Sequence, residues 1–456
     1  MFKNGTLKLS CIGSTSMTTL RFLSSQTAGT SKDVGVKFNN QNRKPIVLPS
    51  EPMPSLPFPT MPHPLQTPVI EIPGPIAEPS LPQTEPESEP NSKPPIEIPV
   101  PNKNVQANTE DDVLIKDIGN KGIITLNRPK ALNALNLSMI EKIYPVLKKW
   151  NLSKKLVIIE GAGEKAFCAG GDVKSIVIAM RANNKTGGET FFRKEYTLND
   201  LISTYKIPYV ALINGITMGG GCGISVHGKY RVATEKTLFA MPETAIGFFC
   251  DVGASYFLPR LKGKLGLYLG LTGDRLKGTD VLYAGIATHF VPSEKIPDLK
   301  QDLLTMDLPN VTEVLNKYQP QNLNKEFCLA PYMNQIDECF SASSVEEIVD
   351  RLKQDNSEWA KKTLQTLLQM SPTSLKVTMS AIQKGATLSL ADCLKMEFKL
   401  ACNYGLKKNS DFCEGVRALL IDKDQKPTWN PQSLGEVTDA YVNQQFANLE
   451  EKELAI

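Results

Sequence analysis

"NGITMGGGCGISVHG", Asn214 to Gly228, sets three glycines side by side, follows them with Cys222 and Gly223, and carries no acid, lysine or arginine. "YVALI" precedes it, so Tyr209–Thr217 reads as one buried strand running into the glycines, and "GGCGISVHG" as the opening of a helix. A Walker phosphate loop would need Gly-Lys-Ser/Thr, and a dinucleotide fingerprint would need G-x-G-x-x-G with an acid after a later strand. Neither fits. Glycines that let a helix sit close to a strand are one use for such a junction. Another is a helix N-terminus whose bare N–H faces a bound oxygen, where the helix dipole helps to stabilise an oxyanion.

An oxyanion hole ordinarily takes two donors, and the chain offers a second junction of the same kind. "EKAFCAGGDVKSI", Glu164 to Ile176, follows the short apolar strand "LVIIEG" (Leu156–Gly161), is glycine-rich and opens a helix. Two N–H groups are therefore expected to meet across one pocket. Around these junctions, "VLIKDIGNKGIITLN" predicts a strand, a turn at Gly119–Gly122 and a second strand. "NRPKALNALNLSMIEKIYPVLKKW" follows as an amphipathic helix, and "YRVATEKTLFAMPE" returns to strand and loop. Strand and helix alternating at this spacing predict an α/β fold with right-handed crossovers. Beyond about Pro292 helical patterning dominates: "SSVEEIVDRLKQ" opens on a capping box of Ser344 and Glu347, and "DCLKMEFKLACNYG" and "EGVRALLI" read as further helices.

Composition bounds the rest. Of the 32 prolines, 19 fall between Pro45 and Pro101, a density that excludes helix interiors and central strands and predicts an extended, polyproline-like spacer or a docking arm for a proline-recognising partner. About 345 residues remain for folding, ample for a large core. The net charge is +3, and no basic run is interleaved with aromatics, so nucleic-acid binding is not indicated. Apolar stretches are interrupted too soon for a membrane span. The nine cysteines include no CxxC and the three histidines lie far apart, which argues against a zinc site and for reduced thiols. Residues 1–32 carry Lys3, Lys8, Arg21 and Lys32, many hydroxyls and no acid, the make-up of a mitochondrial transit peptide. The expected organisation is a transit peptide at 1–32, a Pro-rich disordered linker at 33–110, a catalytic core at 111–300 and a mainly helical portion at 301–456.

"AFCAGGDV" and "NGITMGGGCG" together resemble the two signature segments of the crotonase (enoyl-CoA hydratase/isomerase) superfamily. The resemblance implies a spiral of ββα units and an acyl-CoA substrate whose thioester oxygen is held by the N–H groups of Gly171 and Gly220. It also implies that the backbone of Phe167, Cys168 and Ala169 lies near the adenine end of CoA. Hydratases of the family carry a catalytic Glu directly after "GGGC"; this chain has Gly223 there, which argues against hydration of a double bond. "MPETAIGFFCDVGASYFLPRL" (Met241–Leu261), "MSPTSLKVT" (Met370–Thr378) and "DFCEGVRALLIDKDQKPTW" (Asp411–Trp429) resemble instead a thioester-hydrolase branch of the family. That resemblance implies hydrolysis of 3-hydroxyisobutyryl-CoA, and of 3-hydroxypropionyl-CoA beside it, as a step of valine breakdown in the mitochondrial matrix.

The same resemblance implies roles for three acids. Glu243 is the nucleophile or the general base, Asp251 holds the substrate's 3-hydroxyl or the attacking water, and Glu195, in "TFFRKEYTLND", faces the acyl group unless it is an ordinary exposed helix residue. No metal or further cofactor is implied. His227 is expected to cap or pack. Cys250 stands where the branch leads us to expect Pro, so the loop bearing Asp251 is expected to be less preorganised; Cys250 as nucleophile is an alternative, without a nearby His to activate it. Two other readings stand beside the hydrolase: another enzyme of the family, and a non-catalytic structural subunit of a mitochondrial assembly.

Overall fold

The strands Leu156–Gly161 and Tyr209–Ile213 are apolar on both sides, and the fold explains why. The computed structural model describes residues 111–306, 310–323, 325–449 and 453–456. The expected transit peptide and the Pro-rich segment lie outside the described residues. β1 (Val113–Ile118) and β2 (Lys121–Leu126) form the expected hairpin, with Val113 opposite Leu126. The amphipathic helix α1 (Leu137–Ser153) begins later than the stretch from Asn127 suggested. Pro129–Ala131 form a 3-10 turn first, and Asn136 then caps α1 by accepting the Met139 N–H.

From there two strands and helix recur: β3 (Leu156–Gly161), β4 (Ala166–Cys168), α2 (Val173–Arg181) and α3 (Lys185–Ser203), then β5 (Tyr209–Ile213), β6 (Ile216–Met218) and α4 (Gly220–Val226). A third pair, β7 (Tyr230–Ala233) and β8 (Leu238–Ala240), leads into a 3-10 turn at Glu243–Ile246 and a short helix α5 (Ala254–Phe257); β9 (Leu276–Lys277) and β10 (His289–Phe290) complete the sheets. One sheet has the order β1-β2-β3-β5-β7-β10 and the other β4-β6-β8-β9, so each repeat gives one strand to each sheet. This is the spiral of ββα units. It corrects one expectation: Tyr209–Thr217 is two strands in two sheets. The chain steps between them at Gly215, where φ is +105° and the Ile216 N–H bonds to the Lys165 carbonyl.

Alternation places Ile124, Val157, Ile159, Ala211 and Ile213 in one core and Ile123, Leu156, Ile158, Val210 and Leu212 in another. The second core is closed by Leu299 and Leu303 of the helix Ile296–Thr305 and by Leu315 of the helix Val311–Tyr318. A mostly parallel sheet covered on both faces is the result. The later helices share the first core through Phe340, Leu375, Phe398 and Phe412. Ser344 caps the helix Val345–Asp355 as expected, but the Glu347 carboxylate reaches the N–H of Ser343 (2.7 Å). The two last helices read from sequence each pass into a π turn, at Ala401–Gly405 and Arg417–Ile421. No helix among the described residues is long and apolar enough to cross a membrane.

Candidate active site

The two glycine junctions meet at a cavity of about 330 Å³. Gly171 follows β4, and its neighbours are engaged with the 3-10 region: the Leu135 N–H bonds to the Gly170 carbonyl and the Asp172 N–H to the Leu135 carbonyl. The Gly171 and Gly220 N–H groups themselves pair with no acceptor among the described residues. A Cβ at Gly220 would lie 3.2 Å from the Gly171 nitrogen and 2.5 Å from Glu195 Oε1, so bare backbone is what fits between an amide and a carboxylate. Ala169 lines the cavity, whereas the Phe167 and Cys168 side chains are buried behind it.

Three acids enter the same space. Glu195 comes from α3, Glu243 from the first position of the 3-10 turn, and Asp251 from the turn ahead of α5. All are at most 5% exposed. Glu195 is therefore no surface residue, although Lys194 beside it pairs outward with Glu141. Glu195 Oε1 and Glu243 Oε2 have no hydrogen-bond partner among the described residues, and the Tyr196 hydroxyl donates to Asp251 Oδ2 at 2.7 Å. Burial, then the Asp251 and Glu243 charges, hold the Glu195 carboxyl well above the usual range. Burial and then the Asp251 charge push Glu243 up to about 8, and burial pushes Asp251 up to about 7 against the Tyr196 hydrogen bond. Like charges buried in one cavity favour sharing protons, the condition under which a cluster can offer both an acid and a base near neutral pH.

The surroundings account for the departures noted in the sequence. A Cβ at Gly223 would meet Val252 Cβ at 2.7 Å and the Asn199 amide at 2.9 and 3.0 Å, so no side chain fits there. Cys250 is fully buried, its thiol 3.3 Å from the Gly270 carbonyl; burial and then the Glu243 charge hold it well above the usual thiol range, which leaves it a poor nucleophile. The loop beyond it is held by side chains, as the His227 Nε2–H donates to the Val252 carbonyl at 2.7 Å. Burial lowers His227 to about 4, so it is a neutral pin. Sequence reasoning missed Tyr196, Glu397 and the wall formed by Leu419 and Leu420 on the second π turn. Tyr196 was signalled only by standing next to Glu195; the others carried no local signal.

Comparison with known proteins agrees with this architecture. Residues 121–446 match the family model described as enoyl-CoA hydratase/isomerase. A Danio rerio protein named 3-hydroxyisobutyryl-CoA hydrolase, mitochondrial, is 56% identical over 77% of this chain and 94% of its own length. The Homo sapiens protein of that name is 53% identical over 76% of this chain and 92% of its own. Among solved structures, a carnitinyl-CoA dehydratase from Mycobacterium thermoresistibile superposes with a TM-score of 0.71 at 38% identity, covering 76% of this chain and 99% of that one.

Proposed function

The chain belongs to the enoyl-CoA hydratase/isomerase family, and from that membership we propose that it hydrolyses the thioester of 3-hydroxyisobutyryl-CoA, and of 3-hydroxypropionyl-CoA beside it, to free CoA and the hydroxy acid. The observation that carries this reading is the pairing of two free amides with the acids of the Glu243–Asp251 segment, while the hydratase position, Gly223, has no room for a side chain. Relatives named for this hydrolase support the substrate. The word mitochondrial in their names, with the basic, acid-free stretch 1–32, supports action in the matrix, in valine breakdown.

The thioester oxygen lies against the Gly171 and Gly220 N–H groups and gains negative charge as the carbonyl carbon is attacked; one such donor is worth about 3 kcal/mol in comparable sites. Glu243 either attacks that carbon, giving a mixed anhydride that water then opens, or takes the proton of an attacking water. On both routes the C–S bond breaks and the thiolate leaves with a proton from the cluster. Asp251, oriented by Tyr196, holds the 3-hydroxyl or the water, and Glu195 bounds the acyl group beside Gly220. Thioester hydrolysis is redox-neutral and CoA is part of the substrate, so the proposal includes no further cofactor. In a single turnover in ¹⁸O-water, an anhydride opened at the Glu243 carbonyl leaves the label in Glu243 and releases unlabelled hydroxy acid, whereas the base route places the label directly in the hydroxy acid and none in Glu243.

The test is thiol release from 3-hydroxyisobutyryl-CoA, run beside Glu243→Ala and a crotonyl-CoA hydration assay. Release that falls at least about 10³-fold in the variant, without hydration by the wild type, is expected. Folded wild type that releases no thiol would overturn the reading in favour of a non-catalytic subunit.

A further inference from the structure

Glu397 is a buried acid that this reaction does not use. It is fully buried on the helix Leu390–Leu400, and its carboxylate accepts three hydrogen bonds: from the Gly253 N–H (2.6 Å), the Ser255 N–H (3.0 Å) and the Ser255 hydroxyl (2.6 Å). These donors stand two and four residues after Asp251. Directly after Asp251 the chain is strained: Val252, a β-branched residue, sits at φ +54°, and Gly253 follows at φ +81°, a conformation open to glycine. At Val252 such a conformation persists only where the surroundings over-determine it. His227 holds the Val252 carbonyl from one side, Tyr196 holds the Asp251 carboxylate from another, and Glu397 holds Gly253 and Ser255 from the C-terminal helices.

A packing role does not account for an acid at this place. Three other carboxyls already crowd the cavity, and a fourth adds repulsion and the cost of burial; an apolar side chain would fill the volume without either. What an apolar side chain lacks is two oxygens that accept from the Gly253 and Ser255 N–H groups, on either side of the Ala254 N–H that bonds to the Asp251 carbonyl. We infer that Glu397 is a positioning residue: it fixes the 251–255 backbone that aims Asp251 into the cavity, and thereby makes the C-terminal helical portion part of the catalytic architecture.

This inference uses the thioesterase reading for its kinetic readout only. Glu397→Gln keeps the volume but turns an amide N–H toward a backbone donor. Thiol release by this variant should show kcat lowered about 10- to 100-fold with KM within about threefold, the pattern of a misaimed group. Ser255→Ala, which removes one of the three bonds and leaves the carboxylate in place, should show a smaller loss of the same kind. In an Asp251→Asn background either substitution should cost less than about twofold further, since the group being aimed is already altered. Equal losses in both backgrounds, or an unchanged kcat, would overturn the inference and leave Glu397 a structural acid. Should Glu397→Gln fail to fold, the Ser255→Ala pair of backgrounds decides. Amide hydrogen exchange reads the same point without turnover: protection at 251–255 should fall in the variant relative to the rest of the chain, and undiminished protection overturns the inference even if the wild type releases no thiol.

Discussion

At position 223 the side chain is a hydrogen because its space is taken by Val252 and Asn199. Gly223→Glu should therefore lower stability by about 2–4 kcal/mol through overpacking and a buried acid, and should confer no crotonyl-CoA hydration. A variant with wild-type melting temperature and new hydratase activity would show that the position is open after all. The carboxyls carry a second expectation. Glu243 is raised from 4.5 to about 8 and Asp251 from 3.8 to about 7. A folded-state value above the unfolded one means that the native state binds the proton more tightly. The stabilisation is complete below the unfolded value and is lost as pH rises through the folded one. The native protein should thus lose stability between about pH 5 and pH 8 relative to Glu243→Gln, whose melting temperature should exceed the wild type's by about 2–4 °C at pH 8.5. Parallel melting curves across that window would remove the case for a proton-sharing cluster.

The turn Phe249–Gly253 and α5 form the element on which the chemistry depends. Sequence reasoning expected it to be loose without a proline at 250; its order comes instead from His227, Tyr196 and Glu397, which reach it from three helices or their ends. His227→Ala removes the bond to the Val252 carbonyl and leaves a void, so it should cost about 1–3 kcal/mol in chemical denaturation and lower kcat more than it raises KM. Because the imidazole stays neutral down to about pH 4, that loss should be the same at pH 6 and pH 8, and a pH-dependent loss would argue for a proton-transfer role. Elements of this kind mark the limit of what sequence shows. Strands such as Leu156–Gly161 were legible because alternation and apolar runs encode them directly. The division of 209–217 between two sheets was not, because one glycine in an apolar run looks alike whether the strand continues or turns. The π turns at 401–405 and 417–421 were read as ordinary helix, since a local pattern does not reveal one inserted residue.

Over the whole molecule, Glu195, Glu243, Asp251 and the paired glycines were legible because the family's motifs carry them within short stretches, whereas Glu397 meets Gly253 across more than a hundred residues and only the folded chain joins them. Residues 1–110, read from composition alone, lie outside the described residues. Among the described residues the first anchors of the fold are Asp111 and Asp112: the Asn127 N–H bonds to the Asp112 carbonyl, the Asn127 side chain to the Asp111 carbonyl, and Lys142 pairs with Asp112 at 2.7 Å. β1 then pairs with β2 along six residues. A protein beginning at residue 105 keeps all of these, and should release thiol with kcat/KM within about twofold of the full chain and melt at the same temperature. A protein beginning at residue 119 loses β1, exposes the edge of β2 and should be destabilised and prone to associate. Deleting 45–101 alone separates spacer from docking arm: turnover should be unchanged in either case. Partners that co-purify with the full chain and vanish with the deletion would establish docking, while the same partners in both would make the prolines a spacer.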